Sequence, residues 1–372
     1  MSKNSNLQSW YQCGNKTFFN IWQSFDETIK TNNFTSWHID PDLPNILKNI
    51  KRPKNNTFNY IQNLIVKQLK TLRKKYNILR LGLGGGIDSI TILKLAIEND
   101  IYIDETVTCL VSIVGDKKSD IEFLPNLNFA KKYEGKSIGK ITTISPTIQD
   151  YDYLNDPNWF KNENILKGQY VPWRPCSPNQ WIPRAQTDMS DGITILGIDK
   201  PLIEFKNKQP YWTTVDRDID EVMGIDNVYC LFLDKNNPEL VACHTYAYLD
   251  SIKQIPENGY VNWETFNNKE KISLIPKLGL YSTGHYFNDV ALLGKTKFSW
   301  NYKTRRSKRE LLKLGRNDIW NKIEATFEYI RKSYQNYPHL IESDGKLTKS
   351  IGRKGPSIKI LPNKFEHLVL PG

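Results

Sequence analysis

Residues 79–92 read LRLGLGGGIDSITI. An apolar run suited to a buried strand meets three consecutive glycines, Gly84, Gly85 and Gly86. Asp88-Ser89 follows almost at once, and then aliphatic residues at helical spacing. A strand that turns into a helix within so few residues restricts the architectures open to the chain. The surrounding sequence repeats the alternation. NILRLGL reads as a strand, DSITILKLAIEND as a helix and ETVTCLVSIVG as a second strand. A helix lies within SDIEFLPNLNFAKKYEG and a third strand within KITTIS. Strands and helices alternating at this spacing predict an α/β domain, a parallel sheet with crossover helices. Pro125 suits the first position of the second helix, which leaves Ser119–Glu122 in the loop before it.

A further helix precedes the first strand. Phe58, Ile61, Leu64, Ile65, Leu69 and Leu72 recur at three- and four-residue steps across 57–75, which predicts an amphipathic helix with a basic outer face. Residues 1–55 are aromatic and Asn-rich without clear periodicity, and HIDPDLPNILKNIKRPKNN carries turn signals. They read as an extended arm or loop. Residues 150–186 interrupt the α/β pattern with a Trp-, Pro- and Tyr-rich insertion. DGITILGIDKPLIEF returns to strand character, and VYCLFLDKNNPELVACHTYAY reads as a β-hairpin turning at Lys235–Pro238. Residues 305–335 read as helical. The predicted organisation is an N-terminal arm (1–56), an α/β domain (57–205, with the insertion) and a C-terminal α+β region (206–372).

Composition narrows the setting. No apolar run approaches the roughly 18 residues of a membrane span, and the N-terminus lacks the charged start and apolar middle of a signal peptide. The five cysteines are scattered, odd in number and form no CxxC pair, so neither a zinc knuckle nor a disulfide framework is expected. A reducing, cytoplasmic setting is the simplest expectation. The net charge of +11 admits three partners: nucleic acid, a phosphorylated substrate, or water alone.

The glycine turn is a phosphate-binding candidate, and spacing rejects two of the standard forms. A Walker loop places lysine directly before the Ser/Thr, and Asp88 stands there. A dinucleotide fingerprint begun at Gly82 needs glycine at 87, and Ile87 stands there. What remains is a turn whose glycines let the backbone approach an oxyanion closely. It opens a helix whose N-terminal amides and dipole favour negative charge, with Ser89 as a hydroxyl donor. An anionic Asp88 repels phosphate unless a cation lies between them. The residue therefore points to Mg²⁺ bridging the carboxylate and the phosphates.

The run Gly84-Gly85-Gly86-Ile87-Asp88-Ser89 resembles the Ser-Gly-Gly-x-Asp-Ser motif of the N-type ATP pyrophosphatases, the PP-loop or adenine nucleotide alpha hydrolase-like enzymes. Gly84 in place of the first serine removes one hydroxyl donor. Over residues 57–205 the chain looks most like the synthetase domain of asparagine synthetases. The resemblance implies ATP and Mg²⁺ as cofactors, cleavage between the α- and β-phosphates, an adenylylated acceptor and attack by an amine. It implies that Gly84, Gly85, Gly86 and Ser89 hold pyrophosphate. Val111, Ser112 and Ile113 would read the adenine edge, and Asp88 with Asp199 would hold Mg²⁺. Asp199 matches the aspartate of a Gly-x-Gly-x-Asp-Glu motif in LGIDKP, where Lys200 replaces the glutamate and is itself suited to phosphate. The glutaminase domain of those synthetases opens with cysteine after the initiator methionine, whereas position 2 here is serine. The amine is then expected as ammonia or from another molecule.

Other residues keep two readings. Trp173, Arg174, Trp181 and Arg184 suit stacking on a base or clamping a phosphorylated acceptor, or a lid packed by its own tryptophans. Cys176 among basic residues suits a sulfur-carrying thiol, or is inert. The five histidines lack metal-ligand spacing and read as structural, with His285 in a polar turn as the acid/base candidate. Lys303, Arg305, Arg306, Lys308 and Arg309 suit a solvated face or a nucleic-acid contact. The resemblance thus leaves the acceptor open between a small carboxylate and a base of DNA or tRNA. A degenerate nucleotide-binding module, with Gly84 as its mark, is the third reading.

Overall fold

The computed structural model describes residues 9–18, 21–33, 35–39, 42–50, 57–110, 123–145, 147–156, 192–197, 202–206, 209–213, 227–253, 311–322, 325 and 357–359. Its centre is a five-stranded sheet, parallel throughout, built from β4 (Ile78–Gly82), β5 (Ile103–Cys109), β6 (Ile138–Ile144), β7 (Gly192–Leu196) and β10 (Val228–Cys230). The spatial order is β10-β7-β4-β5-β6. The chain enters at the middle strand, moves outward through β5 and β6, then returns to the other side of β4 for β7 and β10. Numbered by appearance within the sheet this is the doubly wound order 3-2-1-4-5, with its topological switch between β4 and β7. The predicted parallel sheet with crossover helices is therefore present.

Three of the described helices form where the sequence placed them. In α3 (Thr57–Lys75), Ile61, Leu64, Ile65, Leu69 and Leu72 are buried while Lys67, Lys70, Lys74 and Lys75 are exposed. α4 (Ile87–Glu98) leaves the glycine turn and buries Ile90, Ile92, Leu93 and Ala96. α5 (Leu124–Lys131) carries proline in its first turn, as expected of Pro125. α3 packs against α4 and against α6 (Pro238–Lys253). Leu79, Leu81, Ile193 and Ile195 join these helices in one core.

The two faces of the sheet differ in chemistry. Leu81, Asp104, Thr106 and Tyr229 share one face by register. There α3 reaches down with Arg73 to Asp104 and with Gln68 to Tyr229. On the other face Arg80, Glu105 and Lys140 form a row across β4, β5 and β6, with Thr142 two residues further along β6. Arg80 Nε donates to Glu105 Oε2 at 2.6 Å, and the Thr142 hydroxyl donates to Glu105 Oε1. This is a buried ion pair inside a parallel sheet, a position aliphatic residues usually fill.

Two expectations are corrected. The extended arm is structured: β1 (Ser9–Cys13), β2 (Lys16–Phe18) and β3 (Thr35–Ile39) form an antiparallel sheet ordered β2-β1-β3, packed by α1 (Ile21–Thr31). α2 (Asp42–Asn49) stands where turn signals predicted a loop, packs on α6 and places Ile46 in the central core. The described buried positions of α1 include the polar Ser24 and Thr28. The hairpin over 228–248 is also absent. β10 is followed by a short 3₁₀ turn (Leu231–Leu233) and then by α6. Leu240 through Thr245 are all buried, so that stretch shows no amphipathic period, and its aromatic and β-branched content imitates a strand. Pro238 opens the helix, a position that needs no backbone donor.

A third sheet, β11-β9-β8, joins β8 (Leu202–Lys206) and β9 (Gln209–Thr213) to β11 (Ser357–Lys359), all antiparallel. Residues 311–313 and 317–322 are helical and bury Leu311, Ile319 and Trp320.

Candidate nucleotide site at the topological switch

β4 ends at Gly82, and Leu83 still donates its amide to Val107 O of β5 at 2.8 Å. The chain then leaves the sheet through Gly84, Gly85 and Gly86, and α4 begins at Ile87. The turn thus stands at the carboxyl end of the central strand, beside the switch in strand order. In open α/β sheets that crevice is where ligands bind.

Hydrogen bonds from inside fix the shape of the turn. The Ser89 hydroxyl is buried, accepts the Gly84 amide at 3.1 Å and lies 3.3 Å from Gly84 O and 3.4 Å from Gly86 O. Asn126, in the first turn of α5, donates through Nδ2 to the same two carbonyls, at 2.7 Å to Gly84 O and 3.1 Å to Gly86 O. Asn126 is 4% exposed. It was not among the residues the sequence suggested, because forty-two positions separate it from Gly84 and no motif spacing connects them. Lys94 of α4 lies over the Phe129 ring of α5, 5.0 Å from its centroid, and keeps the two helices side by side.

The glycines are not equivalent. At Gly84 a Cβ would meet only Gly86 N and Ser89 Oγ, each at 3.9 Å, so a serine has room there. Gly86 is the helix N-cap with φ −87° and provides no side-chain cap. Gly86 therefore offers no side-chain oxygen to the first-turn amides of α4. Gly197, which follows β7, is the tight position. A Cβ would lie 2.7 Å from Ile92 Cδ1, 3.3 Å from the Asp88 carbonyl carbon and 3.3 Å from Ser89 N. β7 therefore ends directly against the first turn of α4, across the switch.

Asp88 is half-buried in the first turn of α4, close to the glycine turn. Among the described residues no group of three or more His, Cys, Asp or Glu side chains could hold a metal. One carboxylate beside the glycine turn is nevertheless compatible with Mg²⁺. That ion ordinarily takes one or two carboxylates, substrate phosphates and water rather than a cage of protein ligands. Ser112, Ile113, Asp199 and Lys200 lie outside the described residues, as do Val111, Trp173, Arg174, Cys176, Trp181, Arg184 and His285. The structure therefore brings together Gly84, Gly85, Gly86, Asp88 and Ser89 from the expected set, and adds Asn126 and Gly197.

Other buried polar groups lie outside the glycine turn. Asp234, 1% exposed, accepts from Tyr229 Oη, from Gln68 Nε2 at 3.0 Å and from the Asn236 amide at 3.0 Å. It ties the end of β10 to α3. Burial, reinforced by the Asp234 charge, pushes the Tyr229 phenol well above its ordinary range, so it stays a neutral donor. His244 is buried and stacks on Phe232, consistent with a structural histidine. Cys13, Cys109, Cys230 and Cys243 are buried free thiols. Burial raises Cys109 and lifts Cys243 to about 12, which suppresses the thiolate that sulfur chemistry needs.

Compared with protein-family models and with curated proteins, the chain matches none. No described helix is long and apolar enough to cross a membrane.

Proposed function

We propose that this chain is a PP-loop ATP pyrophosphatase acting as an AMP-forming synthetase. It would transfer AMP to an oxygen of an acceptor carboxylate or carbonyl, release pyrophosphate, and allow an amine to displace AMP. One observation carries the reading: a Gly-Gly-Gly-Ile-Asp-Ser turn at the carboxyl end of the central strand of a 3-2-1-4-5 sheet, beside its switch point. Gly84, Gly85 and Gly86 bring the backbone close to the departing pyrophosphate. The α4 N-terminus favours its charge, and Ser89 holds the turn in shape. Asp88, with Asp199 from the LGIDKP motif, would hold Mg²⁺. That ion, when bound, neutralises charge developing on the pyrophosphate. Lys200 is assigned a phosphate contact, and Ser112 and Ile113 the adenine edge. The C-terminal region selects the acceptor.

ATP–pyrophosphate exchange with panels of carboxylic acids and nucleic acids tests the reading. Exchange is expected with the cognate acceptor. It should fall by about a hundredfold or more in Asp88→Ala, since a metal's transition-state contribution is several kcal/mol. Formation of ADP and phosphate sinks the proposal. Absence of both ATP binding and exchange leaves a non-catalytic module, the reading to which Gly84 gives support.

A second acceptor class, a base of DNA or tRNA, is favoured by α3. Lys67, Lys70, Lys74 and Lys75 are exposed on a helix without a single acidic residue. Polynucleotide affinity that falls steeply with added salt selects this class.

A further inference from the structure

We infer that Asn126 is the residue that aims the backbone amides of the glycine turn at the anion. The inference rests on the phosphate-binding reading above and assigns to α5 a role in that site.

The argument starts from the planar trans peptide. In such a unit the N–H points opposite to the C=O of the preceding residue. Gly84 O and Gly86 O are both turned toward Asn126 Nδ2, at 2.7 and 3.1 Å. The amides of Gly85 and Ile87, which share those two peptide units, therefore point away from Asn126. One side-chain amide group, with two hydrogens to give, sets the direction of two donors at once. Without a Cβ, Gly84 and Gly86 have broad freedom to rotate their peptide planes. The turn needs a restraint that its own sequence does not supply.

Ser89 alone is a weaker restraint. Its hydroxyl has one hydrogen for two carbonyls, at 3.3 and 3.4 Å, and its lone pair already takes the Gly84 amide. Asn126 makes the shorter bond to each carbonyl. It is held in place by the first turn of α5, whose Leu127 and Ala130 are buried, and by the contact of Lys94 with Phe129. Asn126 does not touch the anion in this arrangement. It is a positioning residue, and its loss should lower affinity for the phosphate part of the ligand.

Asn126→Asp tests this, because it keeps the shape and removes the donor. At pH 8 a carboxylate would face two carbonyl oxygens and drive the peptide planes apart. Two facing carbonyl oxygens favour the protonated acid, so lowering the pH to 5.5 shifts the carboxyl toward the form that has one O–H to donate. The probe is inorganic pyrophosphate with Mg²⁺, measured by calorimetry on the full chain, with thermal unfolding followed in parallel. The expected result is pyrophosphate affinity about tenfold to a hundredfold below wild type at pH 8, the usual range for losing a donor to buried acceptors. Part of it should return at pH 5.5 relative to wild type at that pH, with cooperative unfolding kept. Asn126→Ala should show the same loss without the pH-dependent return, and it carries the test if the aspartate variant does not fold. Wild-type affinity in both variants overturns the inference, as does a loss that follows only the folded fraction. Absence of pyrophosphate and ATP binding by the wild type overturns the functional reading, and this assignment with it.

Discussion

The N-terminal sheet and the central sheet stabilise themselves by different means. Around β4 the buried side chains are Leu79, Leu81, Ile193 and Ile195, and each fully buried aliphatic residue contributes about 1.5–3 kcal/mol through area alone. Around β1 the buried side chains among the described residues are Tyr11 and Cys13 with Ser24 and Thr28 of α1. There the Thr28 hydroxyl donates to Ser24 O at 3.1 Å, and Cys13 Sγ lies 3.5 Å from Thr28 Oγ1. Such contacts are satisfied rather than strongly favourable, since a hydrogen bond nets about 0.5–1.5 kcal/mol. The N-terminal module is thus expected to open more readily than the domain that carries the glycine turn, and site chemistry should survive its fraying. Native-state hydrogen exchange checks this directly: amides of β1 should exchange faster than those of β4.

The largest effect is expected where the central sheet departs from its own rule. Arg80 and Glu105 are paired at 2.6 Å with side chains only 8% and 13% exposed. Removing Glu105 strands the Arg80 guanidinium, which costs about 3–5 kcal/mol, whereas Glu105 keeps Thr142 and Lys140 if Arg80 is lost. Glu105→Ala should lose that much in urea unfolding. The double variant Arg80→Leu with Glu105→Leu should recover most of it, because a buried pair replaced by apolar groups is often neutral. Equal destabilisation by the single and the double variant would show that the pair does more than neutralise itself.

Next comes Gly197→Ala. The new methyl would sit 2.7 Å from Ile92 Cδ1 and 3.3 Å from backbone atoms of Asp88 and Ser89. The side chain can yield, but the first turn of α4 cannot do so without moving Asp88 and Ser89. A stability loss of about 1–3 kcal/mol is expected, together with weaker Mg-pyrophosphate binding. An alanine variant that unfolds like wild type would mean the strand and helix do not meet this closely in solution. Thr28→Val, in the N-terminal module, should cost only about 1 kcal/mol.

The same contrast explains what could be read in advance. α3 was legible because its buried positions are aliphatic and periodic, the parallel strands because they are short apolar runs between turn signals, and α4 because the glycine turn announces its start. α1 was not read, since its 11 residues stand among turn signals and two of its described buried positions, Ser24 and Thr28, are polar. α6 was misread because Leu240–Thr245 are buried without interruption and so carry no period. Within the site, Gly84 to Ser89 announced themselves by local spacing. Asn126 did not, because its role exists only once β5 and β6 have brought α5 beside α4. Gly197 was noticed through a motif, whereas the reason for glycine there is a packing distance that no motif states.

The smallest stability effect is expected at the position where the turn departs most from the PP-loop pattern. Gly84→Ser adds a Cβ with no contact nearer than 3.9 Å, and its backbone is not in the left-handed region that favours glycine. Unfolding free energy should change by no more than about 0.5 kcal/mol. Under the phosphate reading the new hydroxyl gains an anion to donate to, and one hydrogen bond corresponds to about a twofold to tenfold gain in Mg-pyrophosphate affinity. Calorimetry on the two proteins separates the outcomes. A gain with unchanged unfolding places the anion against this turn and makes Gly84 a weakened form of the PP-loop serine rather than a lost site. Unchanged affinity with unchanged unfolding means the hydroxyl finds no anion, and the turn then serves the packing of β4, β7 and α4 alone. The central sheet would in that case differ from the N-terminal one only in how it is held together, not in carrying the chemistry.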